Sequence, residues 1–302
     1  MKNTIAFLFI LFLITSCGGT KRVVERTPKT VESTETVVTS TPEQPEQPAV
    51  PQKPSPPEQI EASHTEPIQQ PTTNNEVAEA ENTVETTKEA FNHDAWNALL
   101  QDYVSNTGNV NYRSLKSKRK VITNYITSLG DNMPNASWSK ADKIAYWINA
   151  YNAMTVDLIL RNFPIESIKD IKDPWKQRLW KLGTKWYNLD EIEHQILRKM
   201  DEPRIHFGIV CASFSCPKLV NEAFTASNLE TQLTQATKDF LSDPERNNIS
   251  ANTIKLSKIF KWFAKDFKTE GSLIDFLNKY SDITISNNAK KSFKDYNWSL
   301  NE

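Results

Sequence analysis

Residues 204–219 read RIHFGIVCASFSCPKL and hold two of the chain's three cysteines and one of its four histidines. A cysteine nucleophile needs a base to take its proton and a third group to orient that base. Cys211 is the candidate nucleophile here and His206 the candidate base. The small residues Ala212, Ser213 and Ser215 just beyond leave room for a substrate. Backbone N–H groups at such a turn also suit an oxyanion hole. Side chains alternate along a straight strand, so His206 and Cys211 can cooperate only if the strand bends or ends between them.

The same residues admit other arrangements. A turn through Ser213-Phe214-Ser215 lets Cys211 and Cys216 close a local disulfide if their Cα atoms come within about 6 Å. That bond would quench the nucleophile. Zinc needs three or four thiolate or imidazole ligands. His194, His206, Cys211 and Cys216 supply four, but without CxxC or HxxxH spacing. No metal is expected, and no cofactor is called for.

A second constellation lies in NLDEIEHQILR, residues 188–198. Asp190 and Glu193 have capping-box spacing, which would commit Glu193 to a helix end. His194 precedes Arg198 by one turn, and that cation would depress its pKa. With Ile192, Ile196 and Leu197 facing the core, Glu193 or His194 would reach a shared cleft. The long segment 137–161 carries Asn149 and Asn152 among apolar neighbours. Buried amides must be hydrogen-bonded, so each holds either a neighbouring backbone or a substrate.

The positioning elements are mostly helical. HDAWNALLQDYV (93–104) puts Trp96, Leu99, Leu100 and Tyr103 on one stripe. The segment 137–161 opens on a Ser139–Asp142 capping box, is apolar nearly all round, and stops before Pro164; it reads as the central core helix. WKLGTKWYNL reads as a hairpin turning at Gly183 and leading into a short helix near Leu189. RIHFGIVC reads as a buried strand. LETQLTQATKDFLSD and SLIDFLNKY read as amphipathic helices, and IKLSKIFKWFAKDF as a strand passing into a helix. The fold class is α+β: a helix-rich single domain with a small sheet.

The chain begins MKNTIAFLFILFLITSCGGT. Ile5 to Ile14 is too short to span a bilayer and fits a signal-peptide h-region after Lys2. Leu13-Ile14-Thr15-Ser16-Cys17-Gly18 resembles a bacterial lipobox, which implies a signal peptide over 1–16 and a lipidated Cys17 anchoring the protein to membrane lipid. No Asp follows Cys17, so the expected location is the cell envelope, as an outer-membrane lipoprotein. Residues 17–90 hold ten of the sixteen prolines and no aromatic residue, too little apolar surface to offset ordering. They read as a disordered tether with a reach on the order of 50 Å. Residues 91–302 hold all eight tryptophans and form the globular domain. Its lysines are scattered and not set in a stripe with stacking aromatics, which argues against nucleic acid as a partner.

The domain resembles the DUF547 family. The pieces AYWINAYNAMTVDLIL, FPIESIKDI, NLDEIEHQILR, DEPRIHFGIVCASFSCPKL, LSKIFKWFAKDF and DYNWSLN follow one another in family order from about residue 93 to 299. The hallmark positions are Glu193, His194, Arg198, Arg204, His206, Cys211, Ser213, Cys216 and Pro217. The resemblance implies a fold distantly like that of cysteine peptidases, with a Cys-His-Glu constellation. It equally implies an interaction module, since plant members join this domain to coiled coils. The leading expectation is a cysteine-dependent amide or acyl hydrolase acting on peptide or cell-wall material. Cys211 is its nucleophile, His206 its base, Glu193 the orienter and His194 the rival base. Asn149, Asn152, Arg198, Arg204 and Ser213 are expected as supporting polar residues. The alternative is a non-catalytic peptide- or partner-binding module using the same cleft.

Overall fold

The computed structural model describes residues 89–269 and 271–302; the leader, Cys17 and the tether up to residue 88 lie outside the described residues. Helices α1 (Asp94–Tyr103), α2 (Tyr112–Leu115), α3 (Arg119–Asp131) and α4 (Lys140–Asn162) come first. Strands β1 (Trp180–Leu182) and β2 (Lys185–Tyr187) follow, then α5 (Leu189–Glu191), α6 (Ile205–Gly208) and α7 (Leu229–Ser242). Strands β3 (Asn248–Ile249) and β4 (Thr253–Leu256), helices α8 (Ile259–Trp262) and α9 (Leu273–Tyr280), and strand β5 (Lys290–Phe293) complete the order. Among the described residues the domain is helix-rich α+β with two small sheets where one was expected. One is the antiparallel hairpin β1–β2; the other runs β3-β4-β5, with β3–β4 antiparallel and β4–β5 parallel.

Helix α4 organises the domain. The Ser139 side chain accepts from the Asp142 N–H while the Asp142 carboxylate accepts from the Ser139 N–H, the expected capping box. Every residue from Ile144 to Leu160 is buried, as an all-round apolar helix requires. Extended Phe163 ends it before Pro164. The core has two clusters. One surrounds α1, α3 and α4; the other gathers Phe207, Phe240, Phe260 and Phe267. Helix α6 spans both, with Ile205 in the first and Phe207 in the second. Among the described residues, no helix is long and apolar enough to cross a membrane.

The hairpin has the expected form, with Trp180 opposite Tyr187 and Gly183 at φ +56° in its turn. A left-handed backbone of this kind favours glycine. The stretch RIHFGIVC departs from the strand its composition suggested. Ile205–Gly208 is a single helical turn, and extended chain resumes only at Ile209. A strand must share its backbone groups with a neighbouring strand. Here Gly208 and Val210 are instead hydrogen-bonded by the Asn152 side chain.

Candidate functional site

Asn149 and Asn152 lie three residues apart on α4 and so share a face. Asn152 Nδ2 donates to the Gly208 carbonyl at 2.9 Å, and its Oδ1 accepts from the Val210 N–H at 2.9 Å. Asn149 clasps Phe224 the same way, with Nδ2 to the carbonyl at 2.7 Å and the N–H to Oδ1 at 3.1 Å. Both amides are buried, and each holds backbone. Together they tie the chain on either side of Cys211 to the core helix.

Cys211 then meets a sharp turn. Ala212, buried, takes φ +55°, a conformation uncommon outside glycine. The Cys216 N–H bonds the Ser213 carbonyl at 3.0 Å and closes the loop. The C-terminal tail laces over it. Phe214 N–H reaches the Ser299 carbonyl at 2.7 Å, Ser215 N–H the Asn297 carbonyl at 3.1 Å, and Asn297 N–H the Ser215 hydroxyl at 2.8 Å. This lacing delivers Tyr296 to the cysteine.

Three side chains converge on the sulfur of the partly exposed Cys211. Cys216 Sγ is 2.8 Å away, Ser213 Oγ 3.1 Å and Tyr296 Oη 3.3 Å. The Cys216 thiol, then the Ser213 and Tyr296 hydroxyls and the Ser213 N–H, stabilise a thiolate. They outweigh burial, so the Cys211 pKa falls below the ordinary thiol value. Burial, and then the neighbouring Cys211 charge, push the Cys216 thiol up. Burial followed by the same charge pushes Tyr296 up, so it stays protonated and donates. The two cysteines are free, not bonded as a disulfide.

After α5 the chain widens into a π turn over Ile192–Ile196, where the Leu197 N–H reaches both the Glu193 and Ile192 carbonyls. Glu193 does not cap the helix as its spacing suggested. The cap is Asn188, whose side chain accepts from the Glu191 N–H at 2.8 Å. Glu193 is instead buried and accepts from Tyr151 Oη at 3.2 Å. Burial pushes its carboxyl up to about 7 against the pull of that bond, and the Cys211 charge adds to the rise.

The histidines are engaged elsewhere. His206 is buried, stacks on Phe263 with ring centres 4.0 Å apart, and bonds Asp266 Oδ2 through Nε2 at 2.8 Å. Burial lowers its pKa in spite of that carboxylate. Asp266 also takes a two-pronged bond from Arg198 at 2.6 and 2.7 Å. Burial opposes its charge, but Arg198 and His206 hold the carboxyl well below the usual range. Arg198 reaches on to His194 Nδ1 at 2.9 Å, while His194 Nε2 lies 3.6 Å from Asp190. Arg204 is pinned between Glu202 and Glu230. Among the described residues, neither histidine is a hydrogen-bond partner of Cys211.

These groups nonetheless border one cleft of about 670 Å³, which holds Cys211, Cys216, Tyr151, Glu193, His194, His206 and Tyr296. Its lining is rich in aromatic side chains. Trp298 packs against Tyr296, Trp175 and Trp262 at 4.5, 5.8 and 5.9 Å, and Trp262 is half-exposed. Lys169, Lys172 and Lys176 also line it. Among the described residues, no group of three or more His, Cys, Asp or Glu side chains is placed to hold a metal ion.

Residues 135–241 match the family model DUF547, a protein of unknown function. The DUF547 segment covers α4 and nearly all of α7, and so holds Asn149, Asn152, Glu193, His206 and both loop cysteines. It is shorter than the span 93–299 that the motifs led one to expect. Asp266, Tyr296 and Trp298 lie beyond it, and all belong to the site or its support. Sequence reasoning singled out none of those three. The available signals were Asp266 standing inside the LSKIFKWFAKDF piece, and Tyr296 and Trp298 inside DYNWSLN. No curated protein and no solved structure matches the chain.

Proposed function

We propose that the cleft performs acyl transfer, hydrolysing an amide or ester through a thioester on Cys211. The carrying observation is the convergence of Cys216, Ser213 and Tyr296 on the sulfur of Cys211, which lines an open cleft. A thiolate favoured in this way needs no separate base to attack a carbonyl carbon. Collapse of the adduct needs a proton for the leaving amine or alcohol, and Glu193, titrating near 7 in the same cleft, can supply it. The resulting carboxylate can then take a proton from the water that hydrolyses the thioester. His206 is a positioning residue in this scheme, acting through Asp266 and Phe263, and His194 lines the cleft.

The aromatic and lysine side chains of the lining support a substrate with an apolar or ring-bearing acyl part and a nearby negative charge, such as a peptide or cell-wall fragment. The lipobox-like stretch ending at Cys17 supports an envelope lipoprotein on its tether. Incorporation of labelled palmitate that disappears in Cys17→Ala tests that part. For the cleft, the protein is incubated with an aromatic p-nitrophenyl ester and its intact mass is measured. A thioester on Cys211 is expected, absent in Cys211→Ala and accumulating in Glu193→Gln. A Cys211 that alkylates with iodoacetamide but never acylates would overturn the reaction. That outcome favours the second reading, a peptide-binding cleft, which is supported by Cys211 having no histidine partner among the described residues.

A further inference from the structure

The two sulfurs of the 211–216 loop are placed for chemistry with each other. Cys216 Sγ lies 2.8 Å from Cys211 Sγ and accepts the Cys211 N–H at 2.9 Å, so the loop folds one cysteine back onto the other. A disulfide spans about 2.05 Å, so closure asks for a movement of less than about 1 Å. The loop is fixed at several points: by its own Ser213–Cys216 turn, and by the tail through Ser299 and Asn297. The thiols are also unequal. Both line the cleft, but Cys211 is partly exposed, whereas Cys216 is buried at 5% exposure.

We propose that Cys211 and Cys216 form a redox-active dithiol that exchanges with small disulfides and closes reversibly to an intraloop disulfide. The Cys211 thiolate attacks one sulfur of the incoming disulfide; that S–S bond breaks, and the first thiolate leaves and takes a proton from water. Cys216 then loses its proton to solvent and attacks the Cys211 sulfur, expelling the second thiolate. Two electrons pass from the protein to the small disulfide, which is released as two thiols. The division of labour follows the environments. The thiol with the lowered pKa attacks and is afterwards the sulfur that is attacked. The buried thiol resolves: burial is the main barrier to its ionisation, and the Cys211 charge that adds to that barrier is gone once the mixed disulfide forms.

Oxidation has a consequence for the cleft. It removes the nucleophile and its first hydrogen-bond donor together, so acylation stops until a reductant restores both. This consequence rests on the acyl-transfer reading; the disulfide itself does not.

The reduced full-length protein is treated with oxidised glutathione, then digested with trypsin without reductant. Cleavage after Arg204 and Lys218 gives one peptide, 205–218, that carries both loop cysteines and excludes Cys17. The expected peptide is two hydrogens lighter, free of glutathione, and restored by dithiothreitol. In Cys216→Ser the reaction should stop at one glutathione on Cys211, and in Cys211→Ser the peptide should stay unmodified. A wild-type peptide that keeps a stable glutathione adduct, or stays reduced while iodoacetamide labels it, would overturn the proposal. So would Cys211→Ser taking up glutathione at Cys216 as fast as the wild type reacts. Ester labelling before and after oxidation separates the two readings. Labelling lost on oxidation and regained on reduction supports both, and labelling that survives closure of the disulfide overturns the switch. A disulfide that forms in a protein never labelled in either state refutes acyl transfer alone.

Discussion

Tyr296 Oη lies 3.3 Å from Cys211 Sγ and 3.1 Å from Ser213 Oγ, although 85 residues separate the tyrosine from the cysteine. The C-terminal tail thus completes the environment of the thiolate. A hydrogen bond to a charged group contributes about 1.5–3 kcal/mol, equivalent to about 1–2 pH units at 1.4 kcal/mol each. Tyr296→Phe keeps the ring against Trp262 and Trp298 but removes the donor. The midpoint of the pH–rate profile for Cys211 alkylation should rise by about one unit, with the folded spectrum unchanged. An unmoved midpoint would show that Cys216 and Ser213 suffice.

Asn152 gives a test of the scaffold. Its amide satisfies two buried backbone groups, the Gly208 carbonyl and the Val210 N–H. Asn152→Ala strands both, and each unsatisfied group costs about 1–3 kcal/mol. The expected loss is about 2–5 kcal/mol in urea unfolding, with the slope of the transition retained. A loss under about 1 kcal/mol would mean that solvent can replace the clamp.

The helices, the hairpin and the Ser139 cap were legible because their signals are local. The period of apolar residues and the cap spacing depend on a few neighbours, and α4, α7 and α9 form where those patterns lie. RIHFGIVC was misread because its β-branched and aromatic residues suit any buried segment. A side chain 58 residues away, Asn152, decides that the backbone need not pair as a strand. The capping alternative for Glu193 failed for a related reason. Its spacing from Asp190 fits a cap, but Asn188 takes that role and the π turn leaves Glu193 buried beside Tyr151. Cys211 was legible as the centre of the site, while its partner Tyr296 was not. No local pattern carries a contact made by a returning tail.

His206 separates support from catalysis. Its ring stacks on Phe263 and bonds Asp266, which also holds Arg198. His206→Ala removes that packing and strands part of a carboxylate, so a loss of about 2–4 kcal/mol in chemical unfolding is expected. At low denaturant, where the variant is folded, the alkylation rate of Cys211 should stay within about twofold of wild type. A rate collapse without unfolding would restore His206 as the base, through a rearrangement that frees it from Asp266.

Glu193 leaves a signature in stability against pH. Burial raises its carboxyl from 4.5 to about 7 in the folded protein. Between those values the unfolded chain has released the proton and the folded chain keeps it. The folded state binds more protons there, so this residue's contribution to stability falls as pH rises through the window. At about 1.4 kcal/mol per pH unit the fall amounts to about 3 kcal/mol. Buried His93, lowered from 6.5 to about 4, acts in the opposite sense over much of the same range, as do His206 and His194 with their lowered values. The wild-type curve alone therefore hides the effect, and the difference from Glu193→Gln isolates it, because the histidines are common to both proteins. Glutamine is neutral at every pH and can still accept from Tyr151. In urea unfolding at pH 4.5 and pH 7, the variant should gain about 3 kcal/mol on the wild type between the two and no more above. A difference independent of pH would mean that Glu193 is ionised in the folded cleft at pH 4.5. It could then donate no proton to a leaving group near neutrality.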